Sequence, residues 1–237
     1  MLNPPLSILF EDNHLIAINK RCGDIVQGDK TGDQPLGEEV KVYLKQKYNK
    51  PGEVFLGVTH RLDRPTSGVL FFARTSKALT RMNELFKNDG EVRKTYWAVV
   101  DAKPEPPVAS LEHWLVRNEQ QNRSFAYHHE QKDSKKASLT YRYLSSSDRF
   151  HLLEIDLHTG RHHQIRAQLA AIGLHIKGDL KYGFPRSNKD GGIHLHARTI
   201  RFEHPVTHQH ISITAPVPLD PVWQFFEKNL SIMKNSR

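Results

Sequence analysis

The sequence of 237 residues is poor in cysteine and contains no long apolar run. The single cysteine, Cys22, excludes an intrachain disulfide and a multi-cysteine zinc site, and it indicates a reducing compartment. The N-terminus has neither a cationic leader with an apolar segment behind it nor an apolar stretch of membrane length. We therefore expect a soluble, cytoplasmic protein without a membrane partner.

The balance of charge is basic. Lysine and arginine total 34 against 26 aspartates and glutamates, a formal net charge of +8, and 15 histidines could add to it below neutrality. Such a charge favours a polyanionic partner, above all nucleic acid. A basic soluble protein without such a partner would have the same composition. The length suffices for one substantial core, and we predict a single domain over residues 1–237.

The apolar spacing alternates between strand and helix periods without a regular β-α-β order, which indicates an α+β fold. The predicted strands are 7–11, 14–19, 54–59, 69–73, 93–100, 139–144, 150–157 and 193–202. The predicted helices are 35–48, a helix capped by Ser76 and ending near Asn88-Asp89-Gly90, 161–172, and a last one beginning at Asp220-Pro221.

The middle of the chain is less regular. Residues 103–107 form a proline-rich breaker, and residues 119–136 are strongly polar. We predict an exposed loop or hairpin over 119–136 and consider it a candidate RNA-contacting surface. The alternative is a solvated, charge-rich loop without a partner.

The most informative segment runs from His60 to Gly68 and reads HRLDRPTSG, directly before the apolar strand-like residues 69–73. Asp63 lies between Arg61 and Arg64, so its carboxylate is surrounded by positive charge, which is one way to prepare a nucleophilic or basic aspartate. Taken alone, this arrangement could also be a structural ion pair on a loop.

The nine-residue run resembles the signature of the RluA-type pseudouridine synthases, in which the aspartate of H-R-L-D is catalytic. Other segments resemble further elements of that family, in the family's order from about residue 19 to residue 205. These segments are Lys94-Thr95-Tyr96, TGRHHQIR at 159–166, Gly178-Asp179, Tyr182-Gly183, HLHA at 194–197 and His204-Pro205.

The resemblance implies that Asp63 is the essential carboxylate, that Tyr96 lies against the target base, and that Arg166 pairs with Asp63. It further implies that Arg61 takes part in displacing the uridine and that Ile165 is an apolar wall of the uracil pocket. The other expected RNA-binding or base-binding residues are His60, Arg64 and Arg161.

The reaction implied is the isomerisation of uridine to pseudouridine, in which the N-glycosidic bond breaks and carbon 5 of the uracil joins the ribose. Whether Asp63 attacks the sugar, attacks the base or removes a sugar proton stays open. Tyr96 is a candidate acceptor of the carbon 5 proton. We expect no cofactor, in agreement with the absence of a Walker A or G-x-G-x-x-G sequence.

The resemblance also implies the pseudouridine synthase fold: a bent, mostly antiparallel sheet flanked by helices and loops, with the active site in a central cleft. The partner is RNA, either ribosomal large-subunit RNA or transfer RNA, and we expect a monomer. We expect no N-terminal S4 domain, because only 62 residues precede Asp63, so RNA selection would fall to residues 119–136 and 181–189. Arg21 replaces a proline of the family pattern, and we expect a more mobile loop there.

Two alternatives remain. The histidines, above all His194 and His196 on one strand face, could bind a metal, but no H-E-x-x-H is present and we predict no metal site. A catalytically silent RNA-binding protein would share the basic charge and the cleft. The joint presence of Asp63, Tyr96 and Arg166 favours the enzyme, because a carboxylate facing phosphates weakens binding.

Overall fold

The computed structural model describes residues 6–28, 32–88 and 90–235. The strands are β1 Ile8–Glu11, β2 Leu15–Lys20, β3 Gly57–Val58, β4 Ser67–Ala73, β5 Arg93–Val100, β6 Val108–Asn118, β7 Arg123–Tyr127, β8 Lys135–Ser146, β9 His151–Leu157, β10 Leu195–Glu203 and β11 His210–Thr214. The helices are α1 Leu36–Lys47, α2 Ser76–Lys87, α3 Gln164–Ala171 and α4 Pro221–Asn235, with a short 3-10 helix at Leu180–Tyr182.

The strands form one mixed sheet in the order β1-β2-β4-β10-β5-β9-β8-β6-β7, with β11 beside β10 and β3 beside β4. The pairing of β4 with β10 is parallel, whereas the other strand pairs described are antiparallel. The described residues include four α-helices beside this sheet, and the prediction of an α+β fold with a mostly antiparallel sheet is confirmed.

The core lies on both faces of the central strands, because β4 is buried along its whole length. Leu70 and Phe72 pack with Val40 of α1, whereas Phe71 packs with Met82 of α2. This division follows from the alternation of side chains along a strand. Helix α3 joins the apolar cluster on the α1 side, while Trp223 of α4 packs with residues of β5 and β9 that face the other way.

Several predicted boundaries move. The cap of α2 is Thr75, whose hydroxyl accepts a hydrogen bond from the Ala78 amide at 3.1 Å, so the assignment of Ser76 as cap is wrong by one residue. The helix ends at Lys87, and Asp89 of its predicted end lies outside the described residues. Helix α3 begins three residues later than predicted, because His163 has a left-handed backbone with φ of 52°.

Two strands, β6 and β11, were not predicted from the sequence. Strand β6 pairs with β7 and β8, and we call residues 108–127 the edge hairpin, since β7 is the last strand of the sheet order. The loop or hairpin predicted over 119–136 agrees with the structure only in part, because β7 lies inside that segment but pairs with β6, which ends before it. Strand β11 reads HISIT, so Ile211 and Ile213 alternate with polar residues and the segment does have the period of a strand, although none of its residues is fully buried.

Within residues 6–28, 32–88 and 90–235, no helix combines the length and the apolar character that a membrane crossing requires.

Candidate active site

Asp63 lies on the connection between β3 and β4, and this loop is held by a buried lysine. The side chain of Lys20, 1% exposed, lies at the end of β2 and donates hydrogen bonds to the carbonyl groups of Thr66 at 2.7 Å, Arg21 at 2.9 Å and Arg64 at 3.1 Å. Burial lowers the pKa of Lys20 to about 8. Because the carbonyl groups of Arg64 and Thr66 lie within three residues after Asp63, Lys20 fixes the backbone that carries the carboxylate.

The Ser-Gly end of the signature fits β4 closely against β10. Gly68 has a φ of 116°, and a Cβ atom there would lie 2.4 Å from the carbonyl oxygen of Ala197. Only glycine tolerates both conditions. Ser67 makes a 2.8 Å hydrogen bond to Nδ1 of the buried His196, so both residues serve the junction of the two parallel strands.

Arg166 is the central cation of the site and is 5% exposed. Its Nη1 donates to Oδ2 of Asp63 at 3.0 Å, while Nε and Nη2 donate to the two carboxylate oxygens of Asp179 at 2.6 and 2.8 Å. Burial alone would lower the pKa of Arg166, but the hydrogen bonds and charge of Asp179 outweigh it and leave that pKa raised. The bidentate fork thus holds Asp179, and Asp63 receives one bond from an arginine already fixed in place.

The segment before α3 positions this arginine. The Gln164 side chain accepts hydrogen bonds from the Thr159 hydroxyl at 2.7 Å and from the Arg161 amide at 3.0 Å, and it donates to the carbonyl of Ser138 at 3.0 Å. The buried Gln164, which is the first residue of α3, therefore links the turn before the helix to strand β8. This explains why the T-G-R-x-H-Q-I-R segment delivers Arg166 at a defined point.

Tyr96 lies on β5 and is 8% exposed, in the same apolar cluster as Ile165, which is 4% exposed. Burial, reinforced by the negative charge of Asp63, raises the pKa of Tyr96 and keeps its phenol neutral. Tyr96, Ile165, Asp63 and Arg166 line a cleft of about 800 Å³. The structure thus brings together the three residues predicted as catalytic and the predicted apolar wall.

The remaining predicted residues lie around the cleft. Arg61 is exposed and donates to the Gln27 side chain at 3.2 Å, Arg64 pairs with Asp33 at 2.6 Å, and Arg161 donates to the Lys136 carbonyl at 3.1 Å.

His60 differs from these arginines, because its ring makes structural contacts inside the protein. Nε2 accepts a hydrogen bond from the Phe71 amide at 3.1 Å, and the ring packs on Phe86 at 5.0 Å. Burial lowers the pKa of His60 to about 3, so the ring is neutral. Its contribution to RNA binding stays a prediction.

The functions of Lys20 and Asp179 were not predicted from the sequence, although both residues lie within segments that resemble the family. Arg21 was expected to make its loop more mobile. Instead, Arg21 donates to both carboxylate oxygens of Asp24 at 2.9 and 3.1 Å and to Glu39 of α1 at 3.2 Å, so ion pairs restrain this loop.

The candidate metal ligands have other partners. His194 lies 2.9 Å from a carboxylate oxygen of Asp220, and His196 is bonded to Ser67. Within the described part of the chain, no three histidine, cysteine or acidic side chains are grouped as a metal site requires. The expectation that catalysis needs no metal remains a prediction.

Comparison with known proteins identifies the class. Residues 14–171 match the family model described as RNA pseudouridylate synthase. The chain belongs to the RluA-type RNA pseudouridine synthases and is an isomerase that acts on uridine in RNA, as the resemblance implied.

Two relatives illustrate its place in that family. It is 32% identical to tRNA pseudouridine synthase C of Vibrio cholerae, over 92% of this chain and 93% of the relative. It is 34% identical to ribosomal large subunit pseudouridine synthase D of Xylella fastidiosa, over 91% of this chain and 67% of the relative. The solved structure of human RNA pseudouridylate synthase domain containing 4 has the same fold, with a TM-score of 0.76 at 24% identity over 93% of this chain and 92% of that chain.

Proposed function

We propose that the chain isomerises specific uridines of ribosomal large-subunit RNA or transfer RNA, with Asp63 as the essential carboxylate. The observation that carries the assignment is the 3.0 Å bond from Arg166 to Asp63 inside a cleft that Tyr96 also lines. The two named relatives act on different RNA classes at similar identities to this chain, 32% and 34%. Similarity therefore supports both classes equally.

Asp63 is both oriented and accessible. One carboxylate oxygen receives the Arg166 guanidinium, while the side chain remains 27% exposed and can be reached from the cleft. Attack on the sugar, attack on the base and removal of a sugar proton all need such a fixed, reachable carboxylate. This geometry is compatible with all three functions of Asp63.

We assign two functions to Tyr96, a surface for the base and, as a neutral phenol, the acceptor of the carbon 5 proton. Its raised pKa keeps the hydroxyl protonated near neutrality, and a neutral phenol is a weak base. The Tyr96 ring and Ile165 line the same cleft and offer an apolar site for uracil. As acceptor of the carbon 5 proton, Tyr96 would have to pass its own proton on in the same step.

The target uridine must leave its stack before the cleft can receive it. We assign Arg61 to the vacated space, because it is exposed at the cleft and is tied only loosely, through a 3.2 Å bond to Gln27. A planar guanidinium can stack on the neighbouring bases. Arg64 and Arg161, also at the cleft, are assigned to the RNA backbone.

Asp63→Asn tests the assignment, because it removes the charge and preserves the shape of the side chain. Release of tritium from carbon 5 of labelled uridine should become undetectable, while the melting temperature and RNA affinity stay near those of the wild type. Asp148→Asn, at an exposed position on the β8–β9 turn, is the matched control and should be fully active. Turnover by Asp63→Asn at a rate near that of the wild type would overturn the proposal.

A transcriptome-wide pseudouridine map with and without the protein then separates ribosomal from transfer RNA targets. The single domain over 1–237, the monomeric state and the cytoplasmic location remain predictions from the sequence. Sedimentation of the purified chain tests the second of these.

A further inference from the structure

A chain of polar contacts leads from Asp63 to the edge hairpin through two buried side chains. Nε2 of His163 lies 3.5 Å from Oδ2 of Asp63, and Nδ1 of the same ring lies 3.0 Å from the Tyr182 hydroxyl. That hydroxyl accepts a hydrogen bond from the backbone amide of Ser124 at 2.8 Å. His163 and Tyr182 are 8% and 3% exposed, so water has little access to these contacts.

The His163 ring is neutral. Burial, reinforced by the positive charge of Arg166, lowers the pKa of His163 to about 2. A neutral imidazole carries one N–H, on either Nδ1 or Nε2, and its partners decide which nitrogen holds it.

The partners favour the proton on Nε2. The Tyr182 hydroxyl has a single hydrogen, which it can give to Nδ1 of His163 at 3.0 Å or to the Ser124 carbonyl at 3.2 Å. In the first case Nε2 carries the N–H and points it at Asp63. In the second case Nδ1 carries the N–H, and the lone pair of Nε2 faces a carboxylate oxygen, which is repulsive.

The backbone and a neighbouring ring hold this orientation. His163 adopts a φ of 52°, which is costly for a residue with a side chain and persists only where the surroundings require it. The His162 ring stacks on His163 at 3.8 Å and is itself bonded to Ser124 and Asn122 at the edge hairpin. The hairpin therefore fixes both rings beside the carboxylate.

We propose that His163, kept in its Nε2–H tautomer by Tyr182, is a positioning residue that presents a neutral donor to Asp63 beside the cationic donor of Arg166. The inference rests on the proposed function of Asp63. At 3.5 Å the contact is longer than a normal hydrogen bond, and it shortens when RNA fills the cleft, as catalytic hydrogen bonds commonly do. Two donors from different directions fix both the position and the rotation of the carboxylate.

Imidazole 15N resonances of the full chain, labelled at histidine, test the tautomer directly. The His163 signals are assigned by their loss in His163→Gln. We expect Nε2 in the range of a protonated nitrogen and Nδ1 in the range of an unprotonated one, from pH 6 to pH 8. A proton on Nδ1 would overturn the proposal without any measurement of activity.

Two substitutions at the same backbone position test the function of the donor. His163→Gln keeps an N–H near the place of Nε2, whereas His163→Leu removes it, and both residues bear the same backbone strain. We expect kcat of His163→Leu to fall roughly 10- to 100-fold, the loss of a hydrogen bond to a charged group, with KM and RNA affinity little changed. His163→Gln should recover most of kcat, and equal losses in the two variants would contradict the proposal.

Tyr182→Phe tests the residue that sets the tautomer. The substitution keeps the aromatic ring under Arg166, whose guanidinium lies 5.0 Å from the ring centre, and removes only the hydroxyl. The 15N spectrum should then report a mixture of tautomers, and kcat should lie between those of His163→Leu and the wild type. His210→Leu, at an exposed position on β11 away from the residues that line the cleft, is the control and should leave kcat unchanged.

The outcomes distinguish this inference from the function on which it rests. An active Asp63→Asn variant would remove the proposed function itself. An inactive Asp63→Asn variant together with a fully active His163→Leu variant would remove only the positioning function of His163.

Discussion

The buried site around Asp63 and the edge hairpin use positive charge in opposite ways. At the buried site, Arg166 of α3 is 5% exposed and donates three hydrogen bonds, to Asp63 and Asp179. At the edge, Arg117 is exposed and lines the same cleft. A buried, paired cation fixes geometry, whereas an exposed one attracts phosphate over a longer range. The enzyme therefore needs both, and we expect their removal to produce different kinetic defects.

The contacts of Ser124 join the two regions. Its amide and hydroxyl, on the edge hairpin, bind Tyr182 and His162, which adjoin the ring next to Asp63. The hairpin is thus a support for the site as well as a surface toward RNA.

The largest effect should come from the substitution of Arg166, the buried and paired cation of this comparison. Arg166→Ala leaves Asp179, 2% exposed, as a buried carboxylate without its cation, and breaking such a pair costs about 3–5 kcal/mol of folding free energy. Turnover should fall by orders of magnitude. Thermal melting and tritium release measure the two effects.

Arg166→Lys separates orientation from stability, because it keeps the charge and loses the planar fork. We expect it to fold better than Arg166→Ala and to remain severely impaired in turnover. A variant with lysine at 166 and normal turnover would show that the charge suffices and that the direction of the bond to Asp63 is unimportant.

Tyr96→Phe should have the next largest effect. The substitution keeps the flat ring that lines the cleft with Ile165 and removes the hydroxyl, so RNA binding should survive while turnover collapses. Single-turnover rates and binding constants on one RNA measure the two quantities. Unchanged turnover would show that another group accepts the carbon 5 proton and that Tyr96 serves only as a surface for the base.

Arg61→Ala should affect structured and unstructured substrates differently. If Arg61 fills the space of the extruded uridine, modification of a folded RNA should suffer much more than modification of a short, unpaired RNA whose target base is already unstacked. Both rates are compared at one ionic strength. Equal losses on the two substrates would make Arg61 an ordinary phosphate contact, like the exposed cations of the edge hairpin.

The same contrast explains which features the sequence could predict. Strand β4 contains the continuous apolar run 69–73 directly after Gly68, and the catalytic trio lies in segments with local motifs, so both were predicted. Asp179 lies 13 residues beyond Arg166, and no helical or strand spacing relates the two residues. Lys20 is a buried lysine, and a lysine in a sequence is expected at the surface. Such partners become visible only when the chain is folded.

The smallest effect should come from the edge hairpin, at Arg117. Its exposed guanidinium contributes mainly long-range attraction, so Arg117→Gln should weaken RNA binding only a few-fold and reduce the slope of log affinity against log salt by about 1. Turnover at saturating RNA should be unchanged, because none of the contacts that hold Asp63 involves this side chain. Arg149→Gln is the matched control: Arg149 is exposed and precedes β9, whereas Leu157 at the other end of β9 lines the cleft. A fall in kcat for Arg117→Gln at saturating RNA would mean that the hairpin acts on the chemistry through its charge, and the separation between the two regions would have to be abandoned.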